Sequence, residues 1–233
     1  MDLALDPDNR ETLARQVTRE LRAAIVTMRI APGEMLSEQE IATHLGISRA
    51  PVREALVRLQ DAALIRVLPQ RGTLVRRISQ QGVEDARFAR AALECAVAQE
   101  AARRADAAAL DALHANLALQ RRSRKADPAA AFFVLDDAFH QLLASAANRM
   151  STWAVIEELK PQMDRVRYLS MAEPVPRATI IEQHMAILAA VVRRDPVAAA
   201  IAMETHMSAI IHSLPRLAAR HPALFETAAV SIG

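Results

Sequence analysis

SEQEIATHLGISRAPVREALVRL, residues 37–59, reads as two short helices joined by a tight turn. Ser37 and Glu40 have the spacing of a capping box, in which the hydroxyl accepts from the first-turn backbone while the carboxylate reaches back. Ile41 and Leu45 fall one turn apart on a single face, and Gly46 supplies the left-handed residue that ends the first helix. Ser48 is the expected N-cap of the second helix, and Pro51 is tolerated in its first turn, where amides lack an intrahelical acceptor. Val52, Ala55, Leu56 and Leu59 stripe its inner face, whereas Arg49 and Arg53 stand one turn apart, off that stripe. The pattern predicts a helix-turn-helix whose second helix enters a DNA groove. A guanidinium presents a fork of donors that matches guanine O6 and N7 or a phosphate, so Arg49 and Arg53 are the expected DNA contacts. Taken alone, either arginine is equally consistent with an ordinary solvated surface charge.

The flanking sequence favours the DNA reading. Residues 1–10 show no apolar period and read as a mobile arm, while Val17, Leu21, Ala24, Ile25 and Met28 keep a helical stripe over residues 11–28. Pro32-Gly33 makes a turn into the capping box. The recognition helix fades at Asp61. Ile65 to Leu68 and Thr73 to Ile78 are β-rich runs around Pro69-Gln70-Arg71-Gly72, the pattern of a hairpin. Helix, helix-turn-helix and hairpin make a winged helix, with Arg71 and Gly72 at the wing tip suited to a minor groove. Between Gly46 and Arg77, seven arginines stand against two acids, Glu54 and Asp61, the footprint of a phosphate-facing surface.

Composition bounds the remainder. The chain has 233 residues, 52% of them hydrophobic, enough for two modest cores. Aromatics are only 3%, so the cores must be built from Ala, Leu, Ile, Val and Met, which favours packed helices. The fold class expected is mainly α: a winged helix-turn-helix with a small β-hairpin at residues 1–78 and an all-α helical bundle at 79–233. The single cysteine, Cys95, lies in a helical apolar pattern and reads as a core residue, so no disulfide framework is expected. No signal segment and no uninterrupted apolar run of membrane-spanning length is read, which points to a cytoplasmic protein with no membrane partner.

From Leu21 to Gly72, above all in PGEMLSEQEIATHLGISRAPVREALVRL followed by RGTLV, the chain resembles the N-terminal domain of the GntR family of bacterial transcription regulators. The resemblance implies a homodimer that reads a pseudo-palindromic double-stranded DNA operator. Arg49 and Arg53, flanked by Ser48, would meet bases or phosphates, and Gly72 with Arg71 would meet the minor groove. Where some members carry an arginine on the second helix, this chain has Gln39.

Beyond Ser79 the pattern is helical: Val83 to Arg104, Asp106 to about Lys125, a third helix opened by Asp127-Pro128, and three later ones. These run from about Ser151 to Ser170, with Pro161 kinking or dividing the helix, from Arg177 to Arg194, and from Pro196 to about Leu214. Asp136 and His140 are one turn apart, and His184 and His206 sit centrally on two later helices. Three imidazoles and a carboxylate from three helices suit zinc, nickel or another borderline metal better than calcium or magnesium. Spacing alone leaves open hydrogen-bonded core histidines.

ALEC at Ala92 to Cys95, DDAFH at Asp136 to His140, EQHMAIL at Glu182 to Leu188 and the His206 helix resemble the effector-binding domain of the FadR subfamily, an all-helical bundle. In its metal-containing branch an aspartate and three histidines hold a divalent ion beneath the effector pocket. The resemblance implies Asp136, His140, His184 and His206 as ligands, with zinc or nickel favoured and manganese a further candidate. It also implies a small organic acid as effector, its carboxylate completing the metal shell, and it disfavours an acyl-CoA. Arg90, Asn148 and Arg165 are the candidate effector contacts. The function expected is a non-enzymatic DNA-binding regulator, a repressor, whose operator affinity responds to that acid. The rivals are a metal-dependent hydrolase, for which no general base is readable, and a regulator whose metal is purely structural.

Overall fold

The computed structural model describes residues 3–6, 8, 10–126, 129–172 and 174–227. They form two compact units: the chain up to Val83 together with the segment from Ala218 onward, and Glu84–Leu217.

In the first unit, α1 (Leu13–Val26) is capped by Thr12, whose hydroxyl accepts from the Arg15 amide. Its inner face buries Val17, Leu21 and Ile25 against α2 (Glu38–Leu45) and α3 (Arg49–Asp61), which contribute Ile41, Val52, Leu56 and Leu59. The Ser37 hydroxyl accepts from the Glu40 amide at 3.3 Å, and α2 stops at Gly46 (φ 65). Ser48 holds the extended N-cap backbone of α3 but makes no side-chain capping bond. A three-stranded antiparallel sheet follows, in the order β1 (Met35–Leu36), β3 (Gly72–Val75), β2 (Ile65–Leu68). In register, Leu68 faces Gly72 and Ile65 faces Val75.

Three features differ from the sequence expectation. β1 was not read, because two residues with one buried side chain carry no period. The second wing strand ends at Val75. Ile78 instead forms a parallel bridge with Phe225: the Ile78 amide donates to Leu224 O at 2.8 Å, and the Glu226 amide donates to Ile78 O at 2.9 Å. Among the described residues of the segment expected to be an arm, Leu3 is buried in the core and Leu5 packs against it.

The second unit is helical: α4 (Gln80–Arg104, its start belonging to the first unit), α5 (Ala107–Ala126), α6 (Ala129–Ala146), α7 (Met150–Leu159), α8 (Pro161–Met171), α9 (Pro174–Val192) and α10 (Pro196–Arg220). Asp106 caps α5 by accepting from the Ala109 amide at 2.8 Å. The Asp127-Pro128 start expected for α6 lies outside the described residues. Pro161 divides α7 from α8, whereas α10 continues through Pro215 for another turn because Leu214 and Leu217, on either side, are both buried. By length and composition α10 could cross a membrane, but its Met203, His206, Met207 and Ile210 are buried in protein.

Candidate functional site

The residues expected to face DNA are positioned by the α2–α3 junction. Gly46 ends α2 so that Glu38, in its first turn, lies beside the first turns of α3. Its carboxylate accepts from Arg49 Nε at 2.7 Å, from Arg53 Nη2 at 3.0 Å and from Arg53 Nε at 3.1 Å. Both guanidiniums remain open to solvent, with 54% and 65% of their side-chain surface exposed. The Arg53 and Arg49 guanidiniums hold the Glu38 carboxyl below its ordinary range against the opposing effect of burial. One carboxylate thus gathers two forks into one cluster at the N-terminus of the recognition helix. Gln39 faces solvent and donates to Thr43 Oγ1 at 3.2 Å. Gly72 has φ 99, a conformation that L side chains rarely adopt, so another residue there would strain the wing, with its Cβ 3.1 Å from Met35 Cε. Arg71 beside it is exposed. Glu38 lies within the decisive sequence stretch, yet its role depends on the angle between two helices, which no spacing reveals.

In the second unit, α6 carries Asp136 and His140, α9 carries His184 and α10 carries His206. All four are buried, and their ligand atoms lie within 4.8 Å of one another. Each imidazole is anchored from behind. His140 Nδ1 donates to Glu94 Oε2, His184 Nδ1 to Gln120 Oε1 at 2.9 Å, and His206 Nδ1 to Gln183 Oε1 at 3.0 Å. With the proton on every Nδ1, every Nε2 turns a lone pair inward. His140 Nε2 and His206 Nε2 are then 3.2 Å apart, and His184 Nε2 lies 3.6 Å from Asp136 Oδ1. His184 Nε2 and Asp136 Oδ1 are buried with no hydrogen-bond partner among the described residues. A divalent cation would satisfy all of these atoms at once, and the nitrogen-rich donor set would suit a borderline metal.

Charge supports the same assignment. Burial opposes ionisation of Asp136, but the Arg167 guanidinium bound to its Oδ2, with help from the histidines, holds the carboxyl well below its ordinary range. Burial pushes His184 down to about 3 and drives His206 well below its ordinary value, so both are neutral near pH 7, the form in which an imidazole can bind a metal. Glu94 is likewise kept ionised against burial by Arg90 and His140.

Asp136, Arg167, Gln183 and His206 also line a cavity of about 230 Å³, whose other walls include Met163, Met171, Ile180, Met207 and Ile210. None of the three expected effector contacts lines it. Arg90 is fully buried and donates through Nε to Glu94, while its Nη1 and Nη2 have no partner among the described residues. Arg165 is fully buried and donates to Gln162 at 2.6 Å. Asn148 sits past the end of α6 with φ 56, in a separate depression with Arg104 and Asp106. The sequence reading missed Glu94, Gln120, Gln183 and Arg167. The first and third lie inside the quoted ALEC and EQHMAIL motifs, where a polar residue among helical apolar neighbours was the available signal.

Comparison with known proteins agrees with this architecture. The profile described as "Bacterial regulatory proteins, gntR family" matches residues 13–75, and that of the FCD domain matches residues 85–209. The HTH-type transcriptional repressor RspR of Escherichia coli strain K12 is 40% identical over 203 residues, covering 87% of this chain and 89% of RspR. An uncharacterised HTH-type regulator from an unstable DNA locus of Streptomyces ambofaciens is 36% identical over 224 residues, covering 96% and 94% of the two chains. Among solved structures, Escherichia coli McbR/YncC superposes with a TM-score of 0.79 at 22% identity, covering 89% of this chain and 99% of that one, a likeness of fold. The winged helix with its arginine cluster, the helical bundle and these relatives together make the chain a member of the GntR family of DNA-binding transcription regulators, with an FCD effector domain.

Proposed function

We propose that this regulator is a dimeric repressor whose operator affinity is set by a small carboxylate, bound at a divalent metal held by Asp136, His140, His184 and His206. The observation that carries the metal is the outward anchoring of all three Nδ1 atoms, which leaves Nε2 lone pairs and a carboxylate oxygen converging within 4.8 Å. When bound, the metal supplies a Lewis-acidic site at which a ligand oxygen can coordinate. The protein side chains fix the donors, exclude water with a buried shell, and place the cavity beside Asp136 and His206.

The dimer is supported by an apolar face on α4 and α10. Phe88, Val197 and Ile201 are 71%, 68% and 64% exposed, and the two helices are joined beside them by Arg87 donating to Glu204 at 3.4 Å. Repression is supported by the name of the relative RspR, and action on DNA supports a cytoplasmic location. Metal analysis after reconstitution with zinc, nickel or manganese should give about one ion per chain in the wild type. His184→Ala should lower occupancy and melting temperature, and His114→Ala should change neither. Wild-type occupancy near zero would remove the metal from the mechanism.

A further inference from the structure

The walls of the cavity bear on what the site accepts. Its charged and amide groups are already bonded to protein partners: Arg167 binds Asp136 and Asp164, and Gln183 binds His206. Those residues suit one charged end of a ligand. The remaining lining is dominated by Met163, Met171, Ile180, Met207 and Ile210, beside the hydroxyls of Ser170, Thr179 and Ser213. A polyhydroxylated acid could pair a hydroxyl only where it reaches Ser170, Thr179 or Ser213, and would press the others against thioethers and methyls, where each loses its water unpaired. An aliphatic body meets that wall with no such loss, and three flexible methionines can adapt to a branch.

We infer that the acid bound at this site carries a compact, branched aliphatic body and is not a sugar acid, an inference that rests on the metal reading above. Met207 and Ile210, on the helix that bears His206, then hold the body while the carboxylate meets the polar side. The test is calorimetric titration of the zinc-loaded full-length protein with 4-methylpentanoate, D-gluconate and 4-methylpentan-1-ol. The branched acid should bind at least about tenfold more tightly than gluconate, and the alcohol should not compete with it. Ile180→Ser, at a half-buried wall position, should weaken 4-methylpentanoate severalfold without changing zinc content. Gluconate binding as tightly as the branched acid to zinc-loaded protein would overturn the ligand class while leaving the metal in place. Failure of zinc-loaded protein to bind either acid would overturn it equally. Failure to take up zinc would overturn the metal reading, and this inference with it.

Discussion

Glu38, on α2, is the acid that joins two arginines of α3, its carboxylate binding both Arg49 and Arg53. Replacing it with alanine leaves two unrestrained guanidiniums and one more net positive charge. Glu38→Ala should therefore bind non-specific DNA more tightly, with a steeper salt dependence, while discriminating less between operator and scrambled duplex. Arg49→Ala and Arg53→Ala should each lose about 1–3 kcal/mol at a base contact, or mainly flatten the salt slope at a phosphate contact. Titrations of both duplexes over a range of salt separate these outcomes, and unchanged discrimination in Glu38→Ala would make its carboxylate a bystander. The exposure of the two arginines was legible because each lies off an apolar stripe, and the convergence of Asp136, His140, His184 and His206 because their order matches a family pattern. The residues that orient them were not. Glu94, Gln120 and Gln183 lie 46, 64 and 23 positions from the histidines they anchor, so only the packing of whole helices brings them together.

At the scale of elements, the helix-turn-helix is written in local chemistry: a serine cap, a left-handed glycine and a helical stripe, each acting within a few residues. Gly46→Ala tests this directly. A Cβ at Gly46 meets nothing within 4 Å, so the cost is conformational alone, about 1 kcal/mol at φ 65. Urea denaturation should show that loss, and a much larger one would mean that the turn is packed more tightly than its open surroundings imply. The tail was illegible for the opposite reason. Phe225 is 3% exposed and Ile78 is fully buried, yet their pairing joins segments about 150 residues apart, with Arg76 and Glu226 making an ion pair at 3.2 Å alongside. Phe225→Ala should cost about 3–5 kcal/mol, the usual loss for a buried phenylalanine, even though no pattern near it in the sequence announces a core residue.

Across the whole molecule, the chain passes between its two units twice, near Val83 and near Leu217, each time inside a helix. The second crossing is in α10, which carries His206, lines the cavity with Met207 and Ile210, and leads into the segment that pairs with Ile78. A ligand bound at the proposed metal would thus touch the same helix whose continuation belongs to the winged-helix unit. Contact alone is insufficient for regulation. The acid must bind the operator-competent and operator-incompetent states with different affinity, and linkage then requires DNA to change the affinity for the acid by the same factor. A bound acid should accordingly shift operator affinity by about five- to 150-fold, the ordinary span of allosteric coupling. His184→Ala should abolish the shift while retaining operator binding, since His184 lies in the second unit and Arg49 and Arg53 in the first. Operator titrations with and without each acid identified by calorimetry measure the factor, and the converse titration of acid against the protein–operator complex must return the same number. A response that persists undiminished in metal-free His184→Ala protein would show that the acid acts without the metal. A saturating acid that leaves operator affinity unchanged would show that α10 carries no signal from that acid to the DNA.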